Sequence, residues 1–124
     1  MSNTKLMVVD DDPGIRSQLR WGLDDYDVIT SDSRADAVDK LLKYKPRVVT
    51  LDLGLPPDEE GTSEGFKVLK EILDLEPGTK VVVVSGSGEK ENAAKAKKIG
   101  AYGYFSKPVD IIRLKEIIEL AHAE

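Results

Sequence analysis

No cysteine occurs anywhere in the chain, which excludes disulfides, thiolate metal ligands and cysteine nucleophiles. That fits a reducing cytoplasm. Nor does any apolar run approach the ~18 residues that a membrane helix needs, and no charged-then-apolar signal segment opens the sequence. Excess positive charge is also missing. Lys and Arg number 18 against 23 Asp and Glu, a net charge of −5, so the chain has no electrostatic footprint for nucleic acid by itself. Internal repeats, low-complexity tracts and linkers are absent. What is present is an ordinary soluble composition, 40 % hydrophobic and 33 % charged, over 124 residues. That length suits one domain spanning residues 1–124.

Short apolar runs alternate with amphipathic stretches. Lys5–Val9 predicts a strand buried on both faces, and Asp12 and Pro13 then mark a helix start that carries Ile15, Leu19 and Leu23. Tyr26, Val28 and Thr30 alternate with polar neighbours, as in a half-exposed edge strand. Asp32 or Ser33 caps a second helix with Ala37, Val38, Leu41 and Leu42, which Pro46 ends. Arg47–Leu51 is the next strand. A long loop rich in Gly, Pro and acid follows, from Leu53 to about Glu64. The third helix carries Phe66, Leu69, Ile72 and Leu73 and stops at Pro77-Gly78.

Lys80–Val84 is almost wholly β-branched and predicts a fourth strand. A helix from about Glu89 to Ile99 is rich in Ala and Lys, with Gly100 as its C-terminal cap. Ala101–Phe105 is a short strand. The last helix places Ile111, Leu114, Ile118 and Ala121 on one face, flanked by Ile112 and Ile117. Five strands alternating with five helices imply an α/β fold with a doubly wound parallel sheet.

In such sheets, ligands bind at the carboxyl ends of the strands. Asp10 and Asp11 follow the first strand, Asp52 the third, Ser85 the fourth and Lys107 the fifth. Singly, each has a bland reading as a cap, turn or loop residue, and Asp12 beside Pro13 is such a cap. Together they converge on one crevice. Three neighbouring carboxylates repel one another and invite a hard divalent cation such as Mg2+. The cation would keep Asp52 ionised and screen an incoming phosphoryl group. Lys107 adds a point charge and Ser85 a hydroxyl donor. The chemistry that fits is attack by the Asp52 carboxylate on phosphorus, giving an acyl phosphate.

Four segments carry a closer likeness: Val8-Val9-Asp10-Asp11-Asp12-Pro13, Leu51-Asp52-Leu53-Gly54-Leu55-Pro56, Val84-Ser85-Gly86, and Tyr104-Phe105-Ser106-Lys107-Pro108. In this order and spacing the chain resembles, over essentially its whole length, the receiver domains of two-component response regulators. The resemblance implies a five-stranded (βα)5 flavodoxin-like sheet of order 2-1-3-4-5, with Asp52 as phosphoacceptor. It implies a Mg2+ site of Asp10, Asp11, Asp52 and the Gly54 carbonyl, with Asp11 binding directly and Asp10 through water. Ser85 takes the switch hydroxyl position, Tyr104 the aromatic that changes rotamer, and Lys107 the family lysine, followed by a cis bond to Pro108.

The implied partners are a sensor histidine kinase or phosphotransfer protein and an effector, with no direct contact to nucleic acid or membrane. A homodimer on phosphorylation is open. The Leu55-Pro56-Pro57-Asp58 loop and the Lys90-Glu91-Asn92-Ala93 helix start are most similar to NtrC-like regulators in exopolysaccharide and protein-sorting systems. Those receivers are attached to an AAA+ ATPase that works with sigma-54. The output face would be the fourth helix, fifth strand and fifth helix. The sparse apolar content of the fourth helix has two readings, a weakly anchored switch element or close packing of small residues on the sheet.

The chain departs from the family at two places. The family Gly that follows the motif proline is here Gly65, nine residues after Pro56, and the inserted Pro57–Ser63 is acidic. It either tunes partner choice or phosphoryl lifetime, or is a tolerated surface loop. Ser85 replaces the commoner Thr and keeps the donor. Competing functions are weaker. A haloacid-dehalogenase-type phosphatase needs an Asp-x-Asp pair, and Gly54 stands at its third position. A pseudo-receiver that only docks proteins would not need the full residue set. Gly86-Ser87-Gly88 lacks the Gly-Lys-Ser/Thr ending of a P-loop, and His122, the only histidine, reads as a surface residue away from the crevice rather than a phosphocarrier.

Overall fold

The computed structural model describes residues 4–86 and 90–124. Its elements run β1 (Lys5–Val9), α1 (Pro13–Gly22), β2 (Asp27–Ser31), α2 (Arg34–Tyr44), β3 (Val48–Leu51), α3 (Ser63–Leu75), β4 (Lys80–Ser85), α4 (Lys90–Ile99), β5 (Gly103–Ser106) and α5 (Ile111–Ala123). The five strands are parallel and ordered β2-β1-β3-β4-β5, as the sequence predicts. Ser87, Gly88 and Glu89, which complete the Gly-Ser-Gly run and begin the expected fourth helix, lie outside the described residues.

The central strands are continuous apolar runs because both their faces are covered. Successive side chains point to opposite faces. Met7, Val9, Val49, Leu51, Val81 and Val83 pack with α2, α3 and α4 through residues such as Leu41, Leu69, Ile72 and Ala96. Leu6, Val8, Val48, Val82 and Val84 pack instead with α1 and α5 through Leu19, Leu114, Ile118 and Ala121. β2 is an edge strand and is only half covered.

Local signals set the helix starts. Asp12 accepts from the Gly14 and Ile15 N–H groups with Pro13 opening α1, and the Ser33 hydroxyl accepts from Asp36 N–H at 3.4 Å. Of the two cap candidates for α2, Ser33 is the one used. Arg34 then ties α2 to α3 through Glu71 at 2.9 Å.

The structure shifts several expectations. β3 begins at Val48 rather than Arg47, and β4 extends to Ser85, so that serine is the last strand residue rather than the first beyond it. β5 starts two residues late, at Gly103. Gly100 has φ of 127°, and the Gly100 and Ala101 N–H groups both turn back to the Ala96 carbonyl, so Ala101 belongs to the end of α4. Leu42 and Ile112, 47 % and 73 % exposed, lie outside the buried stripes of their helices.

His122 is not a surface residue. It lies far from the crevice, as expected, but half-buried and stacked on Tyr26, ring centroids 4.9 Å apart. Its Nδ1 lies 3.1 Å from the Ile118 carbonyl oxygen and its Nε2 is buried. Burial pulls the imidazole below the usual histidine range, outweighing the Ile118 carbonyl that pulls it up. Among the described residues no helix is long and apolar enough to cross a membrane.

A histidine held neutral on folding contributes stability above its unfolded pKa of ~6.5, and that contribution is lost as pH falls through the lower folded value. Urea midpoints measured between about pH 7.5 and 5 should therefore drop more for the wild type than for His122→Phe, which keeps the stack without titrating. Equal slopes would show that this imidazole does not report on folding.

Candidate functional site

Paired residues of the central strands stand level, Val9 opposite Leu51 and Leu51 opposite Val83, so the chain leaves the sheet in step. One further hydrogen bond beyond each strand holds the rim. Asp10 N–H donates to the Ser31 carbonyl at 2.9 Å, Asp52 N–H to the Val9 carbonyl at 2.8 Å and Lys107 N–H to the Ser85 carbonyl at 2.8 Å.

Those bonds aim one cation at two acids. Lys107 Nζ lies 2.9 Å from Asp10 Oδ2 and 3.5 Å from Asp52 Oδ1, and both aspartates are buried, at 2 % and 6 % exposed. The other Asp10 oxygen accepts from Asp12 N–H at 3.0 Å, and Arg16 Nη1 donates to the Asp10 carbonyl at 2.8 Å. Arg16 escaped the sequence because nothing local marks it; it braces the acidic turn from α1. Asp11 is less buried, and one carboxylate oxygen from each of Asp10, Asp11 and Asp52 lies within 4.8 Å of the others.

The charges do not balance. Burial, then the Asp10 charge, push the Asp52 carboxyl above the usual carboxylate range, against Lys107 and the Gly54 N–H. Burial and Asp10 push Asp11 up as well, and Glu59 adds to it. Burial pulls Lys107 down, but its hydrogen bond to Asp10 and the charges of Asp10 and Asp52 outweigh that and hold the ammonium above its ordinary range. Three carboxylates sharing one ammonium form an oxygen-rich, electron-rich set that could hold a metal ion, and the donor chemistry suits a hard divalent cation.

A cavity of about 460 Å³ opens on this cluster. Asp11, Asp52, Gly54, Ser85 and Lys107 line it, with Asp10 behind them on Lys107. Tyr104 is not among the lining residues. It is half-buried against the α3 and α4 side of the sheet. Lys107–Pro108 is cis, and so is Pro56–Pro57, which the sequence did not announce.

Glu59, Glu60, Gly61 and Thr62 form another part of the cavity wall, and Asn92 of α4 a further part. The inserted stretch thus folds against the site rather than away from it. Two glycines make room for this path. A Cβ on Gly54 would come within 2.5 Å of the Glu59 carbonyl oxygen, and one on Gly65 within 2.2 Å of Leu53 Cα. Gly65 N–H donates to the Leu53 carbonyl at 3.1 Å, so α3 begins in direct contact with the end of β3.

The response regulator receiver domain model matches residues 6–119. The chain is 31 % identical over 120 residues to chemotaxis protein CheY of Listeria monocytogenes, covering 94 % of this chain and 97 % of that protein. It is 32 % identical over 116 residues to transcriptional regulatory protein GlrR of Escherichia coli, covering 92 % of this chain and 25 % of that protein. The chain therefore spans about a quarter of the GlrR length. Among solved structures, the receiver domain of NtrX from Brucella abortus matches with a TM-score of 0.84 at 32 % identity, covering 94 % of this chain and 96 % of that one.

Gly65→Ala should destabilise the fold by about 1–3 kcal/mol in urea unfolding, since the overpacking against Leu53 exceeds the roughly 1 kcal/mol gained in helix propensity. Without divalent cations, Asp52→Asn should raise the urea midpoint at neutral pH, because a carboxyl with a raised folded pKa is a cost once ionised. Adding Mg2+ should stabilise the wild type and help Asp52→Asn far less. A wild-type midpoint indifferent to Mg2+ would argue against a cation site here.

Proposed function

The chain belongs to the response regulator receiver domain family, a module of two-component signalling, and from that premise we propose that it is a Mg2+-dependent phosphoacceptor switch. Asp52 receives the phosphoryl group from a partner histidine kinase or phosphotransfer protein. The observation that carries the proposal is the Lys107 ammonium set between the buried Asp10 and Asp52 carboxylates. An ammonium so placed would stand beside a phosphoryl oxygen after transfer to Asp52.

Asp10, Asp11, Asp52 and the Gly54 carbonyl would hold Mg2+, with Asp11 binding directly and Asp10 through water. When bound, the ion supplies charge neutralisation for the phosphoryl oxygens. An Asp52 carboxylate oxygen attacks phosphorus in line, an O–P bond forms, and the donor's bond to phosphorus breaks with its electron pair leaving on the donor atom. Lys107 pairs with a phosphoryl oxygen and Ser85 donates its hydroxyl to another. The chain thus assists its own phosphorylation and later hydrolysis without being an enzyme in the ordinary sense.

The added doubly charged group would draw Ser85 inward, and Tyr104 would turn from its half-buried position to fill the vacated space. The response is read on α4, β5 and α5. Moving such an equilibrium from 1:99 to 99:1 takes about 5.5 kcal/mol. A charge-assisted hydrogen bond from Ser85 contributes roughly 1.5–3 kcal/mol, so Lys107, the ion and packing supply the remainder. The likeness to GlrR, a transcriptional regulatory protein, supports an output in transcription; the proposed effector, attached or partner, is of the AAA+ and DNA-binding kind, in the cytoplasm, with dimerisation on phosphorylation as one route.

Incubation with acetyl phosphate and Mg2+ should add one phosphoryl group by intact mass, and chelator or Asp52→Asn should abolish it. Ser85→Ala should still be phosphorylated but show smaller 15N shift changes along α4 and β5. No adduct on the wild type would favour a protein-docking module that is never phosphorylated, and loss of labelling in Ser85→Ala would contradict this division of roles.

A further inference from the structure

The inserted stretch is closed on itself. Asp58 N–H donates to the Leu55 carbonyl at 2.9 Å and Gly61 N–H to the Asp58 carbonyl at 3.2 Å. The Asp58 carboxylate then accepts from the Ser63 hydroxyl at 2.6 Å and the Ser63 N–H at 3.3 Å. These contacts hold the Asp58 carboxyl below its usual range, so it stays ionised and keeps the closure. Glu59 and Glu60 are carried by this closed loop into the cavity wall. Glu59 lies close enough for its charge to be felt at Asp11. Of the described residues lining the cavity, Lys107 alone is basic, while Asp11, Asp52, Glu59 and Glu60 are acidic.

Resting on Asp52 as phosphoacceptor, we infer that Glu59 and Glu60 form a charge filter at the crevice that selects phosphodonors by their net charge. Asp11 and Asp52 are assigned to the cation and the phosphoryl group. Glu59 and Glu60, exposed residues of the same cavity wall, have no such task, so their charge acts on whatever enters. Acetyl phosphate arrives as a dianion. Phosphoramidate, whose nitrogen carries an extra proton, arrives as a monoanion and offers the P–N bond type of a phosphohistidine.

Both reactions balance at Asp52. The carboxylate O–P bond forms in each; the P–O bond to the acetyl group breaks to release acetate, or the P–N bond breaks to release ammonia. The products on the protein are the same, so a difference between donors reports their approach and departure, not the adduct. Across a cavity width in water, each glutamate should cost a donor roughly two-fold in rate per unit of charge. Two of them disfavour the dianion by about four-fold relative to the monoanion.

The test measures initial labelling rates by intact mass with each donor at the same Mg2+ concentration, for the wild type, Glu60→Gln and Glu59→Gln/Glu60→Gln. The double variant should raise the acetyl phosphate to phosphoramidate rate ratio about four-fold and Glu60→Gln about two-fold. The gain should shrink near 1 M salt, where the screening length falls to about 3 Å. An unchanged ratio, or equal acceleration with both donors, would overturn the filter while leaving Asp52 in place. If neither donor labels any of the three proteins, the assignment of Asp52 falls and the filter with it.

Discussion

One ammonium placed between two buried carboxylates is the contact on which the rest of this molecule depends. Lys107 reaches Asp10 and Asp52 from a different strand than either, so the bond holds only if β1, β3 and β5 end at the right heights. Removing the ammonium from such a buried set would leave its carboxylates uncompensated, which costs far more than the pair contributes when whole. The same contact explains the electrostatic character of the crevice. One positive charge cannot satisfy three acids, and the deficit leaves an oxygen-rich set that could hold a divalent cation.

The heights are set by the pleat. Because alternate residues of β1, β3 and β4 serve opposite helical layers, a slip of one residue would exchange the two cores and lift Asp10 or Asp52 out of line. Packing on both faces therefore specifies the position of the acids to within one residue without any contact to the acids themselves. The residues just past the sheet are free to be polar because the register beneath them is already determined.

Most of this was legible in the chain because it is encoded locally. β-branched runs that end in Asp or Ser mark the central strands and their rims, and Asp12 and Ser33 announce helix starts through bonds spanning two or three residues. The expected site residues Asp10, Asp11, Asp52, Gly54, Ser85 and Lys107 needed only strand order to be gathered. What stayed hidden depends on contacts between distant segments. Nothing near His122 announces Tyr26. The start of β5 was misplaced because the cap of α4 claims Ala101, a competition between a helix end and a strand that composition does not resolve. The acidic stretch was visible as an insertion, but its path over the crevice follows from Asp58 bonding Ser63 and from the absence of side chains at Gly54 and Gly65.

That last feature bears on how such a chain can vary. The bond from Gly65 N–H to the Leu53 carbonyl, with Gly65 pressed against Leu53, staples the two ends of the loop together at the base. Chain added between them meets a closure cost that grows only slowly with length and leaves strand, helix and acids where they were. The stapled loop is thus a natural grafting point: a cassette of different length or charge can be exchanged there, and the crevice acquires a new rim on an unaltered floor.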